Sequence, residues 1–377
     1  MNEKKHKIIF LIQSFSDKTH FAYHLETVRY LSGVADIALI IERATGKPTG
    51  LPENVAVYEK WSTFLPLRVF QIATHLIRLR IRGYNIFYVH YSFAGAILSG
   101  LIARLSCGHS FYWNAGMPWE YKTSRLRRFI EWCGYQFAQT LITASPILVD
   151  GYSKAYGINK EQISVVPNWI DVAKIAKMAG EFDRDSARAR FNLSPDVRTA
   201  LFARRLGKPW GAQFLPEILS GLPEDVHLFI AGEGPLRGEL EAKFHERGFA
   251  KRVTFLGAVP QDELYGLLAI ADVFLFPSHS EGLAHGLLEA LAAGCPPVVF
   301  AVGGNIPLME QELTSLLVPP HDTKLFADKV TEVLNYGPET RKALLKKMHD
   351  VVMLYDKGNV LPRLSKVLLG SSRGDIT

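Results

Sequence analysis

The segment from Ser278 to Gly294, SHSEGLAHGLLEALAAG, sets two carboxylates eight positions apart, Glu281 ahead of an expected helix and Glu289 inside it, with Gly282 and Gly286 between. It follows an apolar strand, Val273 to Phe276, closed by Pro277. At 100° per residue Leu287, Leu288 and Leu291 fall on one stripe, while Gly286, Glu289 and Ala293 point the other way. One face is for a core, the other for something small and close. A helix N-terminus reached through glycines offers unpaired N–H groups and the positive end of the dipole, which suits a phosphate. A carboxylate one turn inside suits sugar or ribose hydroxyls. Together these groups ask for a nucleotide sugar. Taken without their neighbours, the same residues also describe an ordinary strand, turn and helix with solvated glutamates.

The elements that must position them alternate along the whole chain. In the first half the β-rich runs are Ile8 to Ile12, Ile37 to Ile41, Ile86 to His90, Ser110 to Trp113, Thr140 to Thr143 and Ser164 to Val166. In the second they are Thr199 to Ala203, Leu228 to Ala231, Val253 to Leu256, Val273 to Phe276, Pro297 to Ala301 and Ser315 to Val318. Amphipathic stretches lie between most of them, which predicts an α/β chain with parallel sheets covered by helices. Ligands of such sheets gather at the carboxyl ends of the strands. The reading divides the chain into a first Rossmann-like domain, residues 1–170, a polar connection, 171–195, a second Rossmann-like domain, 196–355, and a tail, 356–377, that folds back toward the first domain.

Two further clusters follow strands. Leu228 to Arg237 runs a strand into Gly232 and Gly234 and then a helix, so the backbone can turn close to a ligand. A dinucleotide fingerprint needs a third glycine where position 237 is Arg, and the NAD reading is rejected. Phe202 to Gly211 gathers Arg204, Arg205 and Lys208 after a strand, cations that can neutralise a departing diphosphate.

With these pieces together the second half closely resembles glycosyltransferase family 4, retaining enzymes of the GT-B architecture with two facing Rossmann-like domains. The resemblance lies in Arg205, the runs Leu228 to Pro235, Val253 to Pro260 and Ala271 to Gly304, and Val165-Val166-Pro167-Asn168 with Ile170-Asp171 before them. It implies Glu281 near the transferred sugar, Glu289 on the ribose, the backbone of Gly286 and Leu287 at the diphosphate, and Arg205 with Lys208 on the phosphates. Gly282, His285 and Gly234 fall on the donor side, with Val259 in a loop flanking the base, while Ser14, Asn114 and Gly116 stand on the acceptor side. The chain departs from the pattern at Trp210-Gly211, where the family usually has Lys-Gly; at Gln13 to Asp17, where it is often glycine-rich; and at Asn114-Ala115-Gly116, where His-Gly is customary. The implied activity is transfer of a hexosyl group from a nucleotide-diphosphate sugar, a substrate and not a cofactor, to a glycan or lipid-linked acceptor of the cell envelope. A nucleotide-sugar epimerase and a catalytically silent donor-binding partner are the alternatives.

Composition limits the rest. Residues 1–170 hold 19 Lys/Arg against 11 Asp/Glu and the remainder 24 against 26, so the first domain is expected to face something anionic. Basic residues interleave with aromatics in two of its helices, Leu67 to Gly83 (Arg68, His75, Arg78, Arg82) and Ser124 to Phe137 (Arg125, Arg128, Phe129, Trp132). That pattern suits an anionic membrane surface or, equally, a solvated basic face with core-facing aromatics. No nucleic-acid module is recognised. Three cysteines with no Cys-x-x-Cys pair, and an apolar maximum of 11 residues at Phe93 to Ala103, predict a cytoplasmic protein without a disulfide framework or membrane span, peripheral at most on the inner face of the membrane. Asp183-Arg184-Asp185 has the Asp-x-Asp form of a metal site but follows no strand, and no histidine set completes one, so the expectation is metal independence.

Overall fold

The structure, a computed structural model, describes residues 6–16, 22–121, 123–183, 189, 191, 193–194 and 196–370. These group into two units, one from the described residues of Met1–Pro167 and Val360–Thr377, the other from those of Asn168–Asn359. Arg184 and Asp185 of the acidic motif, and Asp17, lie outside the described residues.

Unit 1 is built on seven parallel strands: β1 His6–Ile12, β2 Ala35–Ile41, β3 Val55–Tyr58, β4 Ile86–His90, β5 His109–Trp113, β6 Thr140–Thr143 and β7 Ile163–Val165. Their spatial order is β3-β2-β1-β4-β5-β6-β7. Residues Ile8 to Ile12 are buried on both strand faces, the continuous apolar run that an interior parallel strand requires. Strand β3 is an edge strand of four residues, two of them exposed, and so short a run does not stand out in the sequence. The helices of this unit are α1 Ala22–Ser32, α2 Leu65–Ile81, α3 Phe93–Leu105, α4 Arg125–Phe137 and α5 Pro146–Tyr156. Leu76 of α2, Ala103 of α3, Tyr135 of α4 and Tyr152 of α5 pack into one cluster with Ile9, Leu11, Phe87, Val89 and Tyr112. Those four helices therefore cover the same face of the sheet. Ser92 and Ser124 cap α3 and α4 by accepting from the N–H groups of Gly95 and Arg127.

Unit 2 repeats the scheme with β8 Arg198–Ala203, β9 Val226–Ala231, β10 Val253–Gly257, β11 Val273–Phe276, β12 Pro297–Phe300 and β13 Leu317–Val318, ordered β10-β9-β8-β11-β12-β13. Its helices are α6 Val172–Gly180, α7 Leu215–Ser220, α8 Arg237–Glu246, α9 Gln261–Ile270, α10 His285–Ala292, α11 Asn305–Met309, α12 Thr323–Leu334 and α13 Pro338–Met353, and α14 Lys357–Leu369 carries the chain into unit 1. The two places where the chain enters and leaves this unit lie side by side: Ile170 bridges Asp356, the Val172 N–H donates to Asp356 Oδ2 at 3.1 Å, and Lys357 pairs with Asp171.

In each sheet the strand order diverges in the middle, between β1 and β4 and between β8 and β11. Successive crossovers run to opposite sides there, which leaves a crevice at the strands' carboxyl ends. One close contact in unit 1 fixes how α3 meets α4: a Cβ built on Gly100 would stand 2.1 Å from the Phe137 carbonyl oxygen. Gly100→Ala is therefore expected to lower stability by about 1–3 kcal/mol. Gly238→Ala on α8, with no atom within 4 Å of the new methyl, should raise it by about 0.5–1 kcal/mol. Thermal denaturation of the two variants checks both.

Candidate functional site

Unit 2 places its chemistry where β8 and β11 part. The loop after β8 carries Arg204, and the loop after β11 carries Glu281, whose side chain is 9% exposed. The Arg204 guanidinium forms a buried ion pair with Glu281 Oε1, donates to Ser278 Oγ at 3.1 Å and lies 4.5 Å from the centre of the Phe276 ring. A buried carboxylate needs such a partner, because removing one member strands an uncompensated charge. Arg204, and not its neighbour Arg205, thus holds Glu281. A charged residue between a strand and a named motif was the sequence signal, but spacing could not say which of two adjacent arginines turns inward.

Arg205 and Lys208 are exposed. Arg205 stacks over the Trp210 ring at 5.5 Å, so the tryptophan that departs from the family pattern supports this cation from beneath. Two glycines let the loops close up: Cβ atoms on Gly211 and Gly304 would meet the carbonyl oxygens of Pro277 and Gly282 at 1.7 and 1.4 Å. The Gly304 N–H also donates to the Glu281 carbonyl at 2.9 Å, and Asn168 Nδ2 donates to the Leu283 carbonyl at 2.6 Å.

Helix α10 begins at His285 with no side-chain cap at its N-terminus, an end whose dipole suits an anion. Gly286 is open: a Cβ there would touch only the Phe276 ring, at 4.0 Å. Glu289 is not on an exposed face as the helical projection suggests. It is 2% exposed, and its Oε1 accepts from Gln261 Nε2 at 2.9 Å and lies 3.4 Å from the Tyr265 hydroxyl. Helix α9 covers that side, and Gln261 links Glu289 to the loop holding half-buried Val259.

Gly234 serves a different purpose from the expected one. Its Cβ position is occupied by the Leu206 carbonyl, 2.3 Å away, and that of Gly232 by the Arg204 carbonyl, 2.0 Å away. The missing side chains make room for the chain's own loop, so the Gly-x-Gly turn sets the height of Arg204 and Arg205. Sequence reasoning also passed over Asn305, fully buried just beyond Gly304, whose amide nitrogen and oxygen have no hydrogen-bond partner among the described residues. Such an orphaned amide is uncommon in a packed interior.

Unit 1 has a cavity of about 400 Å³ at its own divergence point, lined by Ser14 after β1, His90 and Tyr91 at the end of β4, Asn114 and Gly116 after β5, and His24. The three acceptor-side residues are thus brought together. Asn114, however, has its side chain consumed internally: Nδ2 donates to the hydroxyls of Tyr112 and Tyr135, each at 3.1 Å, and Oδ1 accepts from the Gly116 N–H at 2.9 Å and the Tyr152 hydroxyl at 3.0 Å. That exhausts an amide. Burial holds the three tyrosines well above the usual phenol range, so all remain protonated.

Two histidines from other elements line the same cavity as Asn114. His90 stacks on Trp113, 4.3 Å between ring centres at 12°, its Nε2 lies 2.8 Å from the Tyr88 hydroxyl, and the His24 ring is 4.7 Å away. Desolvation lowers the pKa of His24 to about 4. Tyr91, next to His90, takes a left-handed φ of 55°, a strained conformation of the kind concentrated at binding sites.

Comparison with known proteins now bears on these two sites. Residues 29–174 match Glycosyltransferase Family 4 and residues 183–349 match Glycosyl transferases group 1. The chain is a glycosyltransferase built of a family 4 domain followed by a group 1 domain. Among curated relatives, 2-deoxystreptamine glucosyltransferase of Streptomyces kanamyceticus is 29% identical over 48% of this chain and 47% of its own. D-inositol 3-phosphate glycosyltransferase of Xylanimonas cellulosilytica is 32% identical over 48% and 45%. The chain spans about half the length of the curated relatives it matches. Among solved structures, sucrose-phosphate synthase from Thermosynechococcus elongatus superposes with a TM-score of 0.79 at 18% identity, covering 96% of this chain and 98% of that one. Anabaena HepE in complex with UDP gives 0.78 at 17%, covering 97% and 100%. The fold is that of the GT-B glycosyltransferases.

In this glycosyltransferase the two glutamates of the opening motif differ in kind, Glu281 ion-paired and Glu289 held by neutral donors. Gly286→Ala is expected to fold at least as well as the wild type, since the site is open and helical, yet to weaken UDP binding because the methyl fills open space at the start of the helix. Thermal denaturation with and without UDP reads both effects. The second expectation concerns pH. The unfolded chain protonates His24 near 6.5 and the folded chain only near 4, so stability present above pH 6.5 is lost as pH falls toward 4. For this partly buried ring the loss is about 2 kcal/mol. His24→Gln should remove that part of the acid sensitivity in melts between pH 7 and 4.5.

Proposed function

We propose that the protein transfers a hexosyl group from a nucleoside-diphosphate sugar to a hydroxyl of a glycan or lipid-linked acceptor, with retention at the anomeric carbon and without a metal ion. One observation carries this reading: at the divergence of β8 and β11, a buried, arginine-fixed carboxylate, two exposed cations and an uncapped helix N-terminus converge. As the bond from the anomeric carbon to the diphosphate breaks, negative charge grows on the leaving oxygens. Arg205, Lys208 and the Gly286 and Leu287 N–H groups are the preorganised donors for it, in the role a cation would otherwise fill. Glu281, fixed by Arg204, would bind the sugar hydroxyls, and Glu289 the ribose. The cavity of unit 1, with His90, Ser14 and Tyr91 at its wall, is the proposed acceptor site. Solved relatives of this fold hold UDP and UDP-glucose, which makes a UDP-sugar the first donor to try. A lipopolysaccharide outer core galactosyltransferase, WaaB, is also similar in fold, which makes a cell-envelope glycan the first acceptor to try.

The test is turnover by the purified chain across UDP, GDP and ADP sugars, with and without membrane extract, with EDTA as a further arm. Turnover that needs the extract and survives EDTA is the expected outcome; turnover without any acceptor would make the protein an epimerase or hydrolase, and nucleotide binding without turnover a silent partner. Donor nucleotide at 100 times its dissociation constant should stabilise the fold by about 2.7 kcal/mol. Arg205→Ala and Glu289→Gln are expected to abolish that gain while folding normally.

A further inference from the structure

The first turns of α4 have no packed face. Every residue from Arg125 to Ile130 is exposed, with Leu126 at 69% and Phe129 at 60%, and Trp132 follows at 45%. Phe129 and Trp132 are therefore not turned to the core, while Tyr135, further along the same helix, is. From Tyr121 to Phe137 the one acidic residue is Glu131, and it is buried and paired with Arg127 at 2.9 Å. Arg125 and Arg128 stand beside Leu126, Phe129 and Trp132, and the exposed acid that precedes them in the chain is Glu120.

A second cluster of the same kind opens α2, where Phe64, Leu65, Leu67 and Phe70 are exposed around Arg68. Both helices lie on one face of the sheet, since Leu76 and Tyr135 share its core cluster. In a parallel α/β sheet each helix starts at the strands' carboxyl edge. The two clusters thus share a layer and an end, and the polar cavity with Ser14, His90 and Asn114 opens at that end. A groove of about 540 Å³, walled by Trp119, Phe129, Trp132 and Tyr156, adjoins the cavity and shares Pro118, Tyr121, Thr123 and Glu131 with it.

Exposed aromatics and leucines rimmed by arginine are costly in water and matched to the boundary of an anionic bilayer, where rings enter the headgroup layer and guanidinium groups meet phosphates. We propose that the amino-terminal turns of α4 and α2 seat unit 1 on an anionic lipid surface, and that the aromatic groove guides the chain of a membrane-held acceptor so that its sugar end enters the polar cavity. This deepens the transferase reading, on which it rests for the acceptor's role, by naming the acceptor as an anionic amphiphile.

The test is co-sedimentation of the full chain with phosphatidylcholine vesicles, with and without phosphatidylglycerol. The protein is expected to pellet with the anionic vesicles, less so as salt rises. The double variants Leu126→Ser/Phe129→Ser and Arg125→Glu/Arg128→Glu should each bind about tenfold more weakly or worse, while keeping the wild-type thermal shift with UDP. Wild-type protein that stays in solution with both vesicle types overturns the proposal, as do variants that bind like wild type. So does a soluble dimer that Leu126→Ser/Phe129→Ser dissolves and vesicles do not compete for, because the surface is then a protein interface. Vesicle binding without sugar turnover would sink the transferase reading and leave this one; turnover on a water-soluble acceptor without vesicle binding would do the reverse.

Discussion

The buried pair between Arg204 and Glu281 is the constraint on which unit 2's site depends. Two strands that part at the centre of a sheet leave loops free to diverge, and this ion pair draws the loops after β8 and β11 together. The draw is possible only because Gly211, Gly232, Gly234 and Gly304 allow backbone to approach backbone more closely than any side chain would permit. A buried ion pair gives little net stability, since desolvation offsets most of the attraction. Its value here is positional: the Glu281 carboxylate has one place to be, and the exposed cations next to Arg204 are fixed relative to it.

Unit 1 solves the corresponding problem with neutral groups. Its loops at the β1 and β4 divergence are shaped by a tyrosine cluster that saturates the Asn114 amide, so the turn from Asn114 to Gly116 is rigid without offering its side chain to a substrate. The cavity's ring nitrogens come from His90, stacked on Trp113, and from His24, which meets His90 edge-on and is kept largely neutral by burial. The contrast is chemical, and it is what the proposed roles require: a diphosphate donor calls for cations and helix dipoles, an acceptor hydroxyl for neutral hydrogen-bonding groups in a confined, partly apolar space.

Helix α4 joins core and surface along its length. Its carboxyl-terminal half is anchored by Tyr135 and by Gly100 against Phe137, while its amino-terminal half projects with aromatics outward. An amphipathic pattern whose apolar residues were all for the core would have buried Phe129 and Trp132. The same residue types at the same spacing serve either end, and only the neighbours decide.

The sequence by itself determined the alternating strands, the parallel α/β class and the segment bearing Glu281, Gly286 and Glu289, because those follow from local periodicity and from glycine's backbone freedom. It also located the cationic loop. It could not separate Arg204 from Arg205, foresee that α9 would close over Glu289, find that Gly234 accommodates the chain's own carbonyl, or bring His24 and His90 into one cavity with Asn114. Each of these depends on which atoms of distant segments meet. Burial and hydrogen-bond partnership are properties of packing, and packing is settled only when the sheets, their crossovers and their loops are assembled in three dimensions.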